Sequence, residues 1–388
     1  MPELPADPIA TARALAARFA TTARDRDREG GTPRAERALI REAGLLAIGV
    51  PRALGGGGAS WPTLLQVVQI LATADASLAQ VYGFQHVLLA TCRLFGSPAQ
   101  SERLLAATAR HHWWWGNTLN PLDRRLALVT TGAGRVLRGD KSFSTGALDS
   151  DQLIVSALDG DKLVVAAIPT DRPGIALFDD WRAMGQRQTD SGSSRFTDVV
   201  IHDDEILGPP GPLGSPFASL RPCLPQLAFT HVFLGIAEGA LAEARTFVRT
   251  RTRPWIGSAV ETNTADPYVL ERFGDMVSKL AGAQAAADRA ALALEAAWQR
   301  GDDLTPAERG ELAIRIAQAK VLASRAVLDI TTQIFDVTGP GATAGDWGFD
   351  RFWRNARTLT LHDRIDYKVH ELGQWFLNDQ LPTPSFYS

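Results

Sequence analysis

Apolar positions recur at helical spacing in the first quarter of the chain. In "DPIATARALAARFATTARDRD" (7–27), Ile9, Ala12, Ala16 and Phe19 share roughly one face, and "TPRAERALIREAGLLAIGV" (32–50) follows with a Thr-Pro helix start. Two helices are expected across 7–48. "PRALGGGGAS" (51–60) interrupts them as a turn, and the helical pattern resumes from Trp61 to about Ala109. The texture then changes to short β-branched and apolar runs: "RLALVTTGAGRVLRGDKSF", "DQLIVSALDGDKLVVAAI", "GIALFDD" and "SRFTDVVIHDD". Gly132, Gly134, Gly139-Asp140 and Asp159-Gly160 punctuate them, which predicts six to eight antiparallel strands between about 112 and 206.

"LGPPGPLGSP" (207–216) reads as a linker, and residues 222–377 return to helical spacing throughout. One long alanine-rich helix is expected from Pro267 to Gly301, and a second opens at Thr305-Pro306 and stops at Gly339. Small residues on these helices suit close packing in a bundle. The order is therefore all-α, β, all-α. The expected division is 1–111 N-terminal helical domain, 112–210 central β-sandwich or barrel domain, and 211–388 C-terminal helical bundle. Strands and helices do not alternate, which disfavours Rossmann and TIM-barrel folds.

Composition narrows the function classes. The chain has 388 residues, 45% hydrophobic and 21% charged, with net charge -3 and no dense basic run. Nucleic-acid binding thus has no electrostatic support. Two cysteines, Cys92 and Cys223, make neither a disulfide framework nor a metal cluster. The adjacent His111-His112 lack metal-ligand spacing, so no metal is expected. The N-terminus has no secretory pattern and no stretch is free of charge or glycine breaks over a membrane-spanning length, so a cytoplasmic protein is expected. The four glycines at 55–58 lack the Lys-Ser/Thr of a phosphate loop, and "SGSS" (191–194) is no nucleophile elbow.

Three turns share another chemistry. "WWWGNTLNP" (113–121) sets tryptophans beside Asn117, "GDKSFSTGALDSD" (139–151) an aromatic beside Ser144 and Thr145, and "DDWRAMGQRQTDSGS" (179–193) Trp181 beside Thr189 and Ser191. A flat heteroaromatic ligand needs stacking area and edge hydrogen bonds, so the three could converge on one. "RTRTRPW" (249–255) offers three arginines to an anion, or a solvated helix end. Trp298 and the tryptophans at 113–115 point to an apolar, aromatic-lined substrate pocket. "ARTLTLHDRIDYKVHE" (356–371) reads as a helix-turn-helix junction with His362-Asp363 at its centre.

Together these residues resemble the acyl-CoA dehydrogenase superfamily over nearly the whole chain. "VPRALGGGG" is similar to its Pro…Gly-Gly-x-Gly turn, and "GQRQTDSGSSRFTDVVIHDDEILG" to its β-domain signature. "DDWRAMGQRQTDSGS", "RTRPW", "GFDRFWRNARTLTLHD" and the ending "LPTPSFYS" resemble its flavin-dependent monooxygenase branch. The resemblance implies a homotetramer with flavin between the β domain and a C-terminal four-helix bundle. It also implies an enzyme that takes reduced FMN from a separate reductase, forms a C4a-hydroperoxyflavin with O2, and oxygenates a small organosulfur or nitrogen compound.

By the same resemblance, Asn117 and Thr145 contact the isoalloxazine or its oxygen adduct, and Trp181 and Ser191 line the ring. Arg253, from a neighbouring subunit, and Thr343 bind the FMN phosphate. His362 is the catalytic histidine, with Thr145 beside it. His86 falls where the branch has another active-site histidine, though in an apolar helix it also reads as a core residue. Gly341 stands where the branch has an arginine, which leaves FAD open as the alternative to FMN; Thr145 stands where a serine is usual. The competing function is an FAD-dependent acyl-CoA dehydrogenase with Asp363 as the α-proton base.

Overall fold

A computed structural model describes residues 2–132 and 134–388. Helices α1 (Pro8–Ala20), α2 (Ala23–Glu29), α3 (Arg34–Glu42), α4 (Trp61–Ala74), α5 (Ala76–Phe95) and α6 (Pro98–His111) come first. The expected helix pair at 7–48 is thus three helices, because the chain turns at Thr21-Thr22 and again before Arg34. Asp7 caps α1 by accepting from the Ile9 and Ala10 amides, and Ser97 opens α6 in a capping box with Gln100. Helix α5 is buried along almost its whole length.

Among the described residues seven strands follow: β1 (Trp115–Thr118), β2 (Ala127–Thr131), β3 (Gly134–Lys141), β4 (Gln152–Asp159), β5 (Lys162–Pro169), β6 (Ile175–Leu177) and β7 (Ser194–Ile201). They form one sheet ordered β1-β4-β2-β3-β7-β6, with β5 on the other edge of β4. The expected all-antiparallel pattern is corrected here, since β4 pairs in parallel with both β1 and β2. A parallel pair needs a long crossover, and residues 119–151, carrying β2 and β3, supply it between β1 and β4.

Helices α7 (Cys223–Arg251), α8 (Pro267–Arg300), α9 (Pro306–Thr338), α10 (Asp350–Leu359) and α11 (Ile365–Asn378) complete the chain. Thr305 and Glu308 form a capping box at α9, and Gly339, at φ 73°, ends it. By length and composition the segment Ala218–Arg251 could cross a membrane, but most of it is buried in the protein interior. Buried side chains of α4, α5, α7 and α9 belong to one continuous core, which spans the first and last helical blocks; the sheet has a smaller core of its own.

Candidate active site

The sheet's turns and the last helices enclose a cavity of about 440 Å³. Asn117 reaches it from β1, Thr145 from the turn after β3, and Trp181, Gln186, Thr189 and Ser191 from the loop before β7. Thr358, Leu359, Leu361 and His362 close it from the end of α10 and the turn beyond. The three turns picked out in the sequence do meet. They meet because they are tied to one another. The Asn117 amide donates to Thr145 O at 2.9 Å, and the Gly146 amide to Thr189 O at 2.9 Å. Gly146 sits at φ 70°, a left-handed position that favours glycine.

Arg37 of α3 joins two of these turns from beneath. Its guanidinium, fully buried, donates to Asp190 at 3.1 Å, to Gly146 O at 3.2 Å and to Asp149 O at 2.7 Å. Burial pushes the Asp190 carboxyl up despite this partner. Phe143, Gln186 and Asp190 all have positive φ, so the loops around the cavity hold strained backbone at non-glycine positions. The Gln186 amide donates to Asn355 Oδ1 at 2.6 Å, which latches the 179–193 loop to α10. Gly185 allows this approach: a Cβ there would lie 2.1 Å from Arg354 O.

Hydroxyls run in series across the floor. Thr145 Oγ1 lies 2.8 Å from Ser191 Oγ, Ser191 Oγ lies 2.7 Å from Thr189 Oγ1, and Thr189 donates to Gln186 O at 2.9 Å. A carbonyl only accepts, so each proton in the chain points away from the cavity. Thr145 therefore offers the cavity lone pairs and suits a ligand N–H. Gln80 Oε1, Gln186 Oε1 and Thr358 Oγ1, all on lining residues, are buried without a hydrogen-bond partner. Buried polar atoms are rarely left so. These groups fit a planar ring with N–H and carbonyl edges, as isoalloxazine has, with Trp181 and Phe143 packed edge-on at 5.9 Å beside it.

His362 lies in the turn between α10 and α11, its side chain 43% exposed. Its ring packs on Phe229 at 4.8 Å and faces Tyr387 at 6.2 Å. Nδ1 lies 3.4 Å from Asp363 Oδ1, and Asp363 in turn is ion-paired with the buried Lys320 of α9. Burial would raise the Asp363 carboxyl, but the bond to His362 and the Lys320 ammonium hold it below the usual carboxylate range. Such a group is a poor base, and Asp363 is not among the cavity's lining residues. It faces His362 instead: with Nδ1 toward the carboxylate, Nε2 is the ring nitrogen turned away from it.

Other expected residues lie elsewhere. His86 and Trp298 line a separate cavity of about 300 Å³ with Trp61 and Arg93. His86 stacks edge-on to Tyr82 at 4.9 Å, and burial lowers its pKa to about 3, so it is neutral at ordinary pH. Both its ring nitrogens are buried without a hydrogen-bond partner, and it stands apart from the cavity that His362 lines. Trp114 and Trp115 are fully buried structural residues, their indole N–H groups bonded to Arg37 O and Thr108 Oγ1 at 3.3 and 3.0 Å. Trp298 and residues 113–115 do not line the cavity of His362; its aromatic lining is Phe84, Phe143, Trp181, Phe386 and Tyr387. Arg253 and Thr343 are exposed and outside the cavity of this chain. Arg221 and Tyr387 were not anticipated as site residues; Arg221 stands in no motif and Tyr387 lies in the "LPTPSFYS" ending, and only folding brings them to the wall.

Two family descriptions match the chain: "Acyl-CoA dehydrogenase, N-terminal domain" over residues 9–112 and "Acyl-CoA dehydrogenase, C-terminal domain" over 227–367. The chain is 50% identical to the probable FMNH2-dependent monooxygenase SfnC of Pseudomonas putida, over 99% of this chain and 98% of that protein. Among solved structures it is similar to methanesulfinate monooxygenase MsuC of Pseudomonas fluorescens, with TM-score 0.96 and 51% identity over 98% of this chain and 99% of that one. It is also similar to FMN-bound TdsC, the dibenzothiophene monooxygenase of Paenibacillus sp. A11-2, with TM-score 0.94 and 42% identity, covering 98% of this chain and 100% of that one.

Proposed function

The chain belongs to the FMNH2-dependent monooxygenase branch of the acyl-CoA dehydrogenase family, and from that premise we propose that it oxygenates a small organosulfur compound at sulfur in the cavity closed by His362. Bound reduced FMN supplies the two electrons by which one oxygen atom of O2 enters the substrate and the other leaves as water. The observation that carries the reading is the meeting of Asn117, Thr145, Trp181, Ser191 and His362 around one cavity whose lining, among the described residues, has no acidic side chain.

In this reading Asn117, Thr145 and Ser191 hold the polar edge of the ring and Trp181 covers it. His362 holds or delivers a proton through Nε2, oriented by Asp363. The apolar walls exclude water from the reacting sulfur. Reduced FMN comes from a separate flavin reductase, in keeping with the FMNH2 dependence in the name of SfnC. Supplying this protein with FMN, a reductase and O2, and reading products by mass spectrometry, should give a gain of one oxygen on methanesulfinate or benzothiophene. Reductase-dependent O2 uptake with neither compound altered would refute the reading.

The phosphate end is proposed to lie between subunits. Arg253 stands in an exposed loop beside Trp255 and Ile256, whose large apolar side chains are 76% and 96% exposed in the single chain. An exposed apolar tip next to an arginine suits a homotetramer in which Arg253 reaches a neighbour's FMN, with Thr343 at the same phosphate. Gly341 leaves room there: a Cβ would meet only Phe247 Cζ, at 3.9 Å. Gly341→Arg should therefore tighten FMN binding roughly three- to tenfold, the scale of one net hydrogen bond at an exposed site. Titration followed by flavin fluorescence checks this, and an unchanged affinity would remove that turn from the phosphate site.

A further inference from the structure

Arg221 precedes α7 and lines the cavity, almost entirely buried. Its Nε donates to Thr91 Oγ1 at 2.6 Å, and the Thr91 hydroxyl donates to Val87 O at 2.8 Å, which fixes the plane of the guanidinium. Among the described residues no carboxylate pairs with it, and its terminal nitrogens have no partner. Other buried cations are partnered: Arg37 pairs with Asp190, Arg351 with Glu243 and Lys320 with Asp363, while Lys141 and Arg309 each donate to two carbonyls. Burial lowers the Arg221 pKa only to about 10, so it stays charged near neutrality. An uncompensated buried charge opposes folding, and here it faces a cavity that accepts a ligand.

We propose that Arg221 is the substrate-anion residue, its two free terminal nitrogens binding the oxygens of a small alkanesulfinate. This rests on the monooxygenase reading above. A guanidinium fork matches a two-oxygen anion better than a point charge does. The reaction narrows the anion further. A sulfur that accepts oxygen must keep a lone pair, which a sulfinate has and a sulfonate lacks. The balance is RSO2⁻ + FMNH2 + O2 → RSO3⁻ + FMN + H2O: a sulfur–oxygen bond forms, the O–O bond breaks, and both flavin hydrogens leave in water. Phe84, Pro225 and Leu359 then face the alkyl group, and the space left beside a tricyclic ring favours a short one. Binding a neutral thiophene would leave the guanidinium unpaired, and sites with buried polar groups discriminate strongly against ligands that cannot meet them.

The test compares wild type, Arg221→Leu and Arg221→Lys with methanesulfinate and benzothiophene as probes. Calorimetric titration of methanesulfinate into protein saturated with oxidised FMN should give binding that Arg221→Leu weakens roughly 10–100-fold and Arg221→Lys partly restores. In reductase-coupled turnover the KM for methanesulfinate should rise while selectivity shifts toward benzothiophene. Arg221→Leu should melt no lower than wild type, since it loses an unpaired charge. Unchanged methanesulfinate binding in Arg221→Leu, or lost FMN affinity with methanesulfinate binding intact, overturns the assignment. Wild type that oxygenates benzothiophene but neither binds nor oxygenates methanesulfinate overturns it while sparing the monooxygenase reading; wild type that oxygenates neither probe removes both.

Discussion

His362→Ala should lower oxygenation by roughly 10²–10⁴-fold, the usual contribution of a positioned proton donor or acceptor, while FMN affinity changes by no more than a few fold. The imidazole stands at the cavity wall between Phe229 and Tyr387, with its Nδ1 side toward Asp363. Removing it takes away the proposed proton-exchanging group and leaves the hydroxyl chain of Thr145, Ser191 and Thr189 in place. O2 consumption should then continue with reduced FMN and yield hydrogen peroxide instead of oxygenated product. Product yield and peroxide, measured together, separate lost chemistry from lost flavin. Normal product yield from this variant would end the assignment of His362.

Asp363→Asn gives the contrast. The dehydrogenase alternative would make this change fatal to proton abstraction, but Asp363 is locked to Lys320 and stands outside the cavity lining. The amide keeps the size and loses the charge that orients His362, so a fall of about tenfold in oxygenation is expected, short of the loss in His362→Ala.

The second large effect concerns Arg37→Met, which should destabilise the protein by roughly 3–5 kcal/mol, because it leaves the Asp190 carboxylate buried without its cation. Both side chains are wholly buried, and the same guanidinium carries the carbonyls of Gly146 and Asp149. The turns bearing Thr145 and Ser191 lose their common anchor, so FMN affinity should fall with the melting temperature. Thermal unfolding with and without saturating FMN checks both. Arg37→Met paired with Asp190→Leu should recover part of the stability, since the buried charge then disappears from both sides; no recovery would mean that the pair is not the source of the loss.

Much of the fold was legible in the chain because its signals are local. Thr305-Pro306 and Gly339 bound α9 as their capping chemistry requires, and the shift from 3.6-residue to two-residue periodicity near 112 marks the sheet. Asn117, Thr145, Trp181, Ser191 and His362 were legible as candidates because hydroxyls, amides and aromatics in glycine turns are conspicuous, and because the surrounding motifs resemble a family. What stayed hidden has no local signal. Nothing beside His86 or Trp298 says which face of α5 or α8 points to which cavity, and one turn of helix is enough to place them in a cavity apart from His362.

The sequence by itself determined the all-α, β, all-α block order, the bounds of the long helix α9, the family, and the residue types able to hold a flavin. Tertiary structure alone decided the parallel pairing of β4, the core shared by the first and last helical blocks, and the network through which Arg37 joins two turns more than a hundred residues away. It alone decided that Asp363 meets Lys320, and that Arg221 meets a hydroxyl and, among the described residues, no carboxylate. The physical reason is common to all of these. Periodicity and capping are set by neighbours a few residues apart, whereas a charge's partner, and so its role, depends on which distant segments burial brings against it.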